Sequence, residues 1–201
     1  VATVYSDRLP VDIVRRESMR GLVNVGTKAL IPVFALAAAL ALSGPAAAAG
    51  MDEQKFKPGD TASDFTVKDT LGKDVRLSAF KGSQVVLLNF WGLRCGACLE
   101  EMPYLEDMYK RYKDKGVVVL GVDTDGVGAA DVNATLADLE MTITYPLLLD
   151  PEFKVTDVYT NFLVPLTVVI DRKGIVTYIH TGFEKGTEKV YEEAVKKALA
   201  N

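Results

Sequence analysis

The sequence predicts an α/β fold, a mixed sheet with helices packed against it. Three features of its patterning carry that prediction. Two apolar runs, VVLLNFW at residues 85–91 and VVVLGVD at residues 117–123, are nearly continuous in β-prone side chains, as strands buried on both faces require. The segment between them, LEEMPYLEDMYKRYKDKG, brings apolar residues round at Leu99, Met102, Leu105, Met108 and Tyr109, close to helical spacing. Strand and helix then go on alternating, and the chain closes with a hairpin and an amphipathic helix, the order expected of a layered α/β domain.

Taken in order, residues 51–60 are polar and carry a PGD turn. DFTVKD and DVRLSAF, joined through TLGK, form an N-terminal hairpin of two short strands. The central strand at 85–91 leads directly to the cysteines, and the helix after them stops at Lys115-Gly116. Pro103 lies inside that helix and is expected to kink it, because its ring removes the hydrogen bond to the carbonyl of Leu99. Residues 128–140 form a helix and YPLLLD a short strand. LTVVID and IVTYIHT, split by the turn RKG, make the hairpin, and EKVYEEAVKKALA is the closing helix. No repeat or low-complexity tract appears beyond an Ala-rich leader.

That leader begins at Met19. MRGLVNVGTK is basic, ALIPVFALAAALAL is apolar, and SGPAAAAG offers small residues for cleavage near Ala48 or Ala49. This is the three-part grammar of an export signal. The alternative is an uncleaved anchor, since apolar residues persist over 29–49, about the length that crosses a bilayer. Ser43, Gly44 and Pro45 interrupt that run. No cysteine follows it, so lipid attachment there is excluded. The expected organisation is an extension at 1–18, a signal or anchor at 19–49, and one domain at 50–201. Without residues 1–49 the chain keeps 18 basic against 24 acidic side chains, which suits solubility and gives nucleic acid no hold.

Cys95 and Cys98 are the only cysteines of the 201 residues. A strand ending at Trp91 and a helix starting near Cys95 place the first thiol at a helix N-terminus, where unpaired N–H groups and the helix dipole favour the thiolate that attacks disulfides. Cys98 falls on the same face of the first turn, near enough to bond to it. A structural staple does not explain the spacing, because so short a loop removes little unfolded-state entropy. Haem attachment requires a histidine after the second cysteine, and Leu99 stands there. Zinc requires four ligands, and the chain offers two cysteines and one histidine, His180. Copper capture by Cys95, Cys98 and His180 stays open. Otherwise His180 reads as a half-buried or surface strand residue, with general-base service as a further possibility. An exported pair of this kind meets an oxidising environment and is either disulfide-linked or kept reduced by a dedicated electron supply.

The stretch VVLLNFWGLRCGACLEEMP resembles the active-site region of the thioredoxin superfamily, in particular the extracytoplasmic TlpA/ResA-like thiol-disulfide oxidoreductases, and the likeness runs over residues 57–200. It implies a thioredoxin-like mixed sheet flanked by helices, with an N-terminal hairpin and a central insertion at 128–150. It also implies that Pro165 is a cis-proline facing the disulfide and that Val164 offers a backbone edge to a bound peptide. Glu101 falls where ResA-like members carry an acidic residue that tunes the cysteines; the other reading is a solvated helix carboxylate like Glu100. Asn89 stands where thioredoxin has a buried aspartate, as it does in ResA-like proteins, which leaves Glu101 or water to move the proton of Cys98. Gly96-Ala97 lacks the proline common between the cysteines, so no relative's potential transfers. Trp91 is expected as a packing wall and partner-contact surface, and Arg94 as a residue that favours the thiolate or points into water.

The expected activity is thiol-disulfide exchange with protein cysteines in an extracytoplasmic space such as the periplasm. Cys95 attacks and Cys98 resolves, a membrane electron carrier is the redox partner, and no cofactor is called for. Resemblance favours a reductant of the cytochrome c maturation kind; Val-Pro at the cis-proline favours a disulfide-forming oxidant. A peroxiredoxin-like peroxidase requires Thr or Ser three residues before its cysteine, where this chain has Gly92. A copper-binding module is the non-enzymatic alternative.

Overall fold

The computed structural model describes residues 55–201, so the expected extension and leader lie outside the described residues. A hairpin of β1 (Thr66–Asp69) and β2 (Asp74–Arg76) is followed by the central strand β3 (Val85–Trp91) and the long helix α1 (Gly96–Tyr112). Then come β4 (Val117–Asp123), α2 (Ala129–Asp138), β5 (Leu147–Leu149), a single-turn α3 (Thr156–Tyr159), the hairpin β6 (Leu166–Ile170) and β7 (Val176–Thr181), and α4 (Thr187–Leu199). The strands form one sheet in the order β2-β1-β5-β4-β3-β6-β7. β3, β4 and β5 run parallel, and β6, β7 and the β1–β2 hairpin supply the antiparallel pairings.

Every residue of β3 and β4 is buried, as their unbroken apolar runs require when helices cover one face and loops with α3 the other. Side chains of β3 alternate between two cores. Val85, Leu87 and Trp91 join Met102, Leu105 and Met108 of α1 and Tyr191 and Val195 of α4, whereas Val86, Leu88 and Phe90 pack with Val155 and Tyr159. By that alternation Asn89 points toward the helices. Thr167 is its partner across β6, and His180 is Thr167's partner across β7, so all three share one face.

Two local features differ from expectation, while α1 ends where its stop signal stands. The second strand stops at Arg76, because Asp64 draws Ser78 aside: its carboxylate accepts the Ser78 N–H at 2.8 Å and hydroxyl at 2.9 Å, and residues 77–80 curl into a 3₁₀ turn. α1 runs on through Pro103, whose ring is exposed, and ends in a 3₁₀ turn at Lys113–Lys115 before Gly116 at φ 86°. The short α3 carries no sequence periodicity; the buried Asp150 carboxylate fixes it by accepting Val155 N–H, Thr156 N–H and the Thr156 hydroxyl at 2.7–3.0 Å.

Candidate active site

The turn from β3 into α1 is closed by the Cys95 N–H, which donates to the Gly92 carbonyl at 3.1 Å. Cys95 is the N-cap of α1, with extended backbone (φ −90°, ψ 98°), and its Sγ accepts the Cys98 N–H at 3.1 Å. The sulfur thus occupies the place that a serine or aspartate oxygen takes at other helix starts, with a first-turn amide aimed at it and no acidic residue in that turn to oppose an anion. Cys95 and Cys98 are joined as a disulfide, Cα atoms 5.2 Å apart. Cys98 is fully buried and Cys95 only partly so, which leaves one sulfur open to an incoming partner.

One helical turn beyond Cys98, Glu101 is 0% exposed, whereas Glu100 beside it is exposed. The solvated-carboxylate reading of Glu101 therefore fails on burial. Its Oε2 accepts the Asn89 Nδ2–H at 2.8 Å and its Oε1 the Thr167 hydroxyl at 3.2 Å, while Asn89 Nδ2 also donates to Thr167 Oγ1 at 3.0 Å. Burial pushes the Glu101 carboxyl up to about 7, against the opposing pull of hydrogen bonds from Tyr191, Asn89 and Thr167. A carboxyl poised there exchanges a proton readily in the neutral range.

The peptide bond between Val164 and Pro165 is cis. Leu166 pairs with Phe90, so Pro165 stands level with Trp91, at the end of the sheet from which the cysteine turn leaves. Pro165 is buried and Val164 half-buried. Trp91 is 0% exposed and lies against Gly121, where a Cβ would come within 3.3 Å of its Nε1. It forms a wall behind the site, and in this oxidised state it presents no surface to a partner. Arg94 is exposed beside the turn, and His180 lies partly buried with its ring 5.8 Å from that of Tyr191.

Sequence reading overlooks the loop after β4. The Thr124 N–H and hydroxyl both donate to the Trp91 carbonyl, at 2.9 and 3.0 Å. Asp125 Oδ2 accepts the Leu93 N–H at 2.7 Å. Asp123, buried at the strand end, holds the loop in turn by accepting the N–H groups of Asp125 and Val127 at 3.2 and 3.1 Å. The carboxylate of Asp125 also explains Gly92, since a Cβ there would sit 3.0 Å from Oδ1. The only sequence signal for this clamp is the pair of aspartates ending VVVLGVDTD.

Residues 58–179 match the AhpC/TSA family. The chain belongs to that family. It is 34% identical over 145 residues to the thiol-disulfide oxidoreductase ResA of Bacillus thuringiensis subsp. konkukian, an alignment covering 72% of this chain and 80% of the relative. It is 35% identical over 139 residues to ResA of Geobacillus thermodenitrificans, covering 69% and 78%. Among solved structures, a candidate thiol:disulfide interchange protein DsbE from Chlorobium tepidum superposes with a TM-score of 0.65 at 31% identity, covering 72% of this chain and 99% of that one.

This AhpC/TSA-family chain is thus a thiol-disulfide oxidoreductase of ResA/DsbE type on a thioredoxin-like fold. Two rival readings of the sequence meet obstacles in the site. The peroxidase reading calls for a hydroxyl side chain at position 92, and the Asp125 carboxylate fills the space such a side chain would enter. The copper reading calls for Cys95, Cys98 and His180 to converge, and among the described residues no group of three or more His, Cys, Asp or Glu side chains does so.

Proposed function

We propose that this oxidoreductase works as an extracytoplasmic reductant of protein disulfides. The single observation that carries the reading is the asymmetry of its sulfurs, one half-exposed at a helix N-terminus and the other fully buried beside a carboxyl titrating near neutrality. In the reduced protein the Cys95 thiolate attacks a substrate disulfide, and one substrate sulfur leaves as thiolate. The Cys98 thiol gives its proton to Glu101 and attacks Cys95 Sγ, which releases the second substrate sulfur and leaves the Cys95–Cys98 disulfide. Two electrons pass to the substrate, and a membrane carrier restores them. Val164, ahead of Pro165, offers main chain to an extended substrate segment, as in other strand-addition complexes. The organisation that goes with this reading is an export signal or anchor at 19–49 ahead of the domain at 50–201. Among the described residues no helix is long and apolar enough to cross a membrane.

Equilibration with glutathione tests the direction. A potential near thioredoxin's, about −270 mV, supports a reductant, and one near about −120 mV, as in DsbA, makes the protein an oxidant instead. Expression of Cys98→Ser in the native host, followed by identification of proteins disulfide-linked to Cys95, names the substrates.

A further inference from the structure

β3, β4 and β5 run parallel and β6 runs against β3, so the loops at 92–95, 124–128, 150–155 and 160–165 all meet the sheet at one edge, the edge that carries Cys95. Two phenylalanines stand in the last two of these loops. Phe153 has φ 56° and Phe162 φ 59°, left-handed backbone that a bulky L-residue rarely takes and that glycine adopts freely. The surrounding structure imposes both. The Phe153 N–H donates to the Asp150 carbonyl at 3.0 Å, and the Phe153 carbonyl accepts the Asp157 N–H at 2.8 Å. The Phe162 N–H donates to the hydroxyl of buried Thr160 at 2.8 Å.

Strained backbone of this kind gathers where the placement of a side chain matters to function. Core packing does not account for it at Phe162, which is 57% exposed, with Leu163 beside it 44% exposed. Half-buried Phe153 backs the pair: its ring is 6.3 Å from that of Phe162 and rests on Gly126, where a Cβ would come within 2.7 Å of Cζ. Gly126 follows Asp125, whose carboxylate holds the Leu93 N–H in the cysteine turn. In the other direction Leu163 leads straight into Val164 and the cis Pro165. The apolar shelf is thus joined to the cysteine turn by one route and to the Val164 edge by the other. Among the described residues, the exposed Leu71, Leu139 and Val190 lie on other elements, whereas Val158, Phe162 and Leu163 cluster ahead of Pro165.

A thiol-disulfide oxidoreductase must bring a segment of its substrate against the open sulfur, so the occupant of this edge is that segment. We propose that Phe162 and Leu163, backed by Phe153, are specificity determinants of the exchange reaction, taking a large apolar side chain that flanks the reactive cysteine of the substrate. The main chain at Val164 aligns the segment, and the shelf reads its side chain. Large apolar side chains are buried in folded proteins, so the shelf selects segments that have not yet folded. The inference rests on the proposed function in one respect, that an extended substrate segment lies along Val164.

The test uses two peptides, each closed by one disulfide and identical except that both cysteines are flanked by Phe in one and by Ser in the other. The second-order rates at which reduced wild-type and Phe162→Gly protein open them are compared. Glycine suits the left-handed backbone at 162, so the variant keeps the loop. Covering one face of a phenyl ring is worth about a factor of ten, and the Phe-to-Ser rate ratio should therefore be about tenfold higher in the wild type than in the variant. Intrinsic differences between the peptides cancel in that comparison. Equal ratios in the two proteins overturn the inference, whether or not the variant is slower on both peptides. Exchange is reversible, so oxidised protein acting on the reduced peptides reads the same ratio; a protein that works only in this second arm refutes the reductant reading and leaves the shelf to be judged by its ratio. Leu163→Ser should lower the ratio in the same direction, and it carries the test should Phe162→Gly not fold. Equal ratios together with a wild-type dimer that Phe162→Gly dissociates in sedimentation would assign the shelf to a second copy of the chain, which also overturns the inference.

Discussion

Replacing Glu101 with Gln tests the buried acid through stability alone, with the disulfide intact and no thiol to titrate. The carboxyl rises from 4.5 unfolded to about 7 folded, with burial as the largest cause. Between those values the native state holds a proton that the unfolded chain has lost, so wild-type stability falls as pH rises through the window. Each unit is worth about 1.4 kcal/mol, and the full window therefore takes away about 3 kcal/mol. The stabilising contribution is complete below the unfolded value and gone once the pH exceeds the folded one. Gln carries no such slope, and at low pH it closely mimics the neutral acid. Urea melts of oxidised wild-type and E101Q protein at several pH values between 4.5 and 8 isolate the term, because every other carboxyl cancels in the difference. The variant should gain about 3 kcal/mol on the wild type across that range. A difference that stays flat would refute the burial-raised acid, and with it the proton economy assigned to the site.

Gly92→Ala puts a methyl group 3.0 Å from Asp125 Oδ1, so the carboxylate must leave the Leu93 N–H; urea melts should show a loss of about 1–2 kcal/mol, most of it absent when Asp125 is already Ala. Equal losses in both backgrounds would show that the glycine serves another purpose. Glu192 joins α4 to α1 through Arg111 at 2.8 Å and the Tyr112 hydroxyl at 2.6 Å, and Arg111, with help from Tyr112, holds its carboxyl down at about 2. Its contribution is present above the ordinary carboxylate range and lost as pH falls toward about 2. Solvent screening at this surface site limits it to about 1 kcal/mol, so acid unfolding of E192Q should begin at a slightly higher pH than in the wild type.

The sequence makes the strands and main helices legible because their apolar periods are long and unbroken, as in residues 85–91 and 117–123. It misses what single polar contacts decide. DVRLSAF reads as one strand until Asp64, 14 residues before Ser78, takes the serine's N–H and hydroxyl. The turn of α3 owes its place to the Asp150 carboxylate rather than to any periodicity. In the site, Cys95 and Cys98 announce themselves by spacing, and Pro165 and Glu101 by resemblance. Tyr191 and Asp125 do not: they lie 93 and 27 residues from Cys98 in the chain and reach the site only once the sheet register and the packing of α4 are set. Trp91 shows the converse limit, because its sequence context is compatible with a contact surface and only the packing on Gly121 buries it.

The amide at position 89 bears on how many protons the site handles. An aspartate there would place a second carboxyl 2.8 Å from Glu101 Oε2 on the same buried face. Two carboxyls so close cannot both ionise, and they would share a proton whose release belongs to the pair rather than to either residue. Asparagine instead donates to Glu101 whether or not that acid is charged, and leaves Glu101 as the one buried carboxyl of the Asn89–Thr167–Tyr191 group. Reducing the disulfide takes up two electrons and, if both sulfurs end as thiols, two protons. A Cys95 thiolate stabilised by the first turn of α1 needs none, so only the buried Cys98 must be supplied. On the function proposed above, one carboxyl with one exchangeable proton matches that demand, and a second acid would add only a charge to be desolvated.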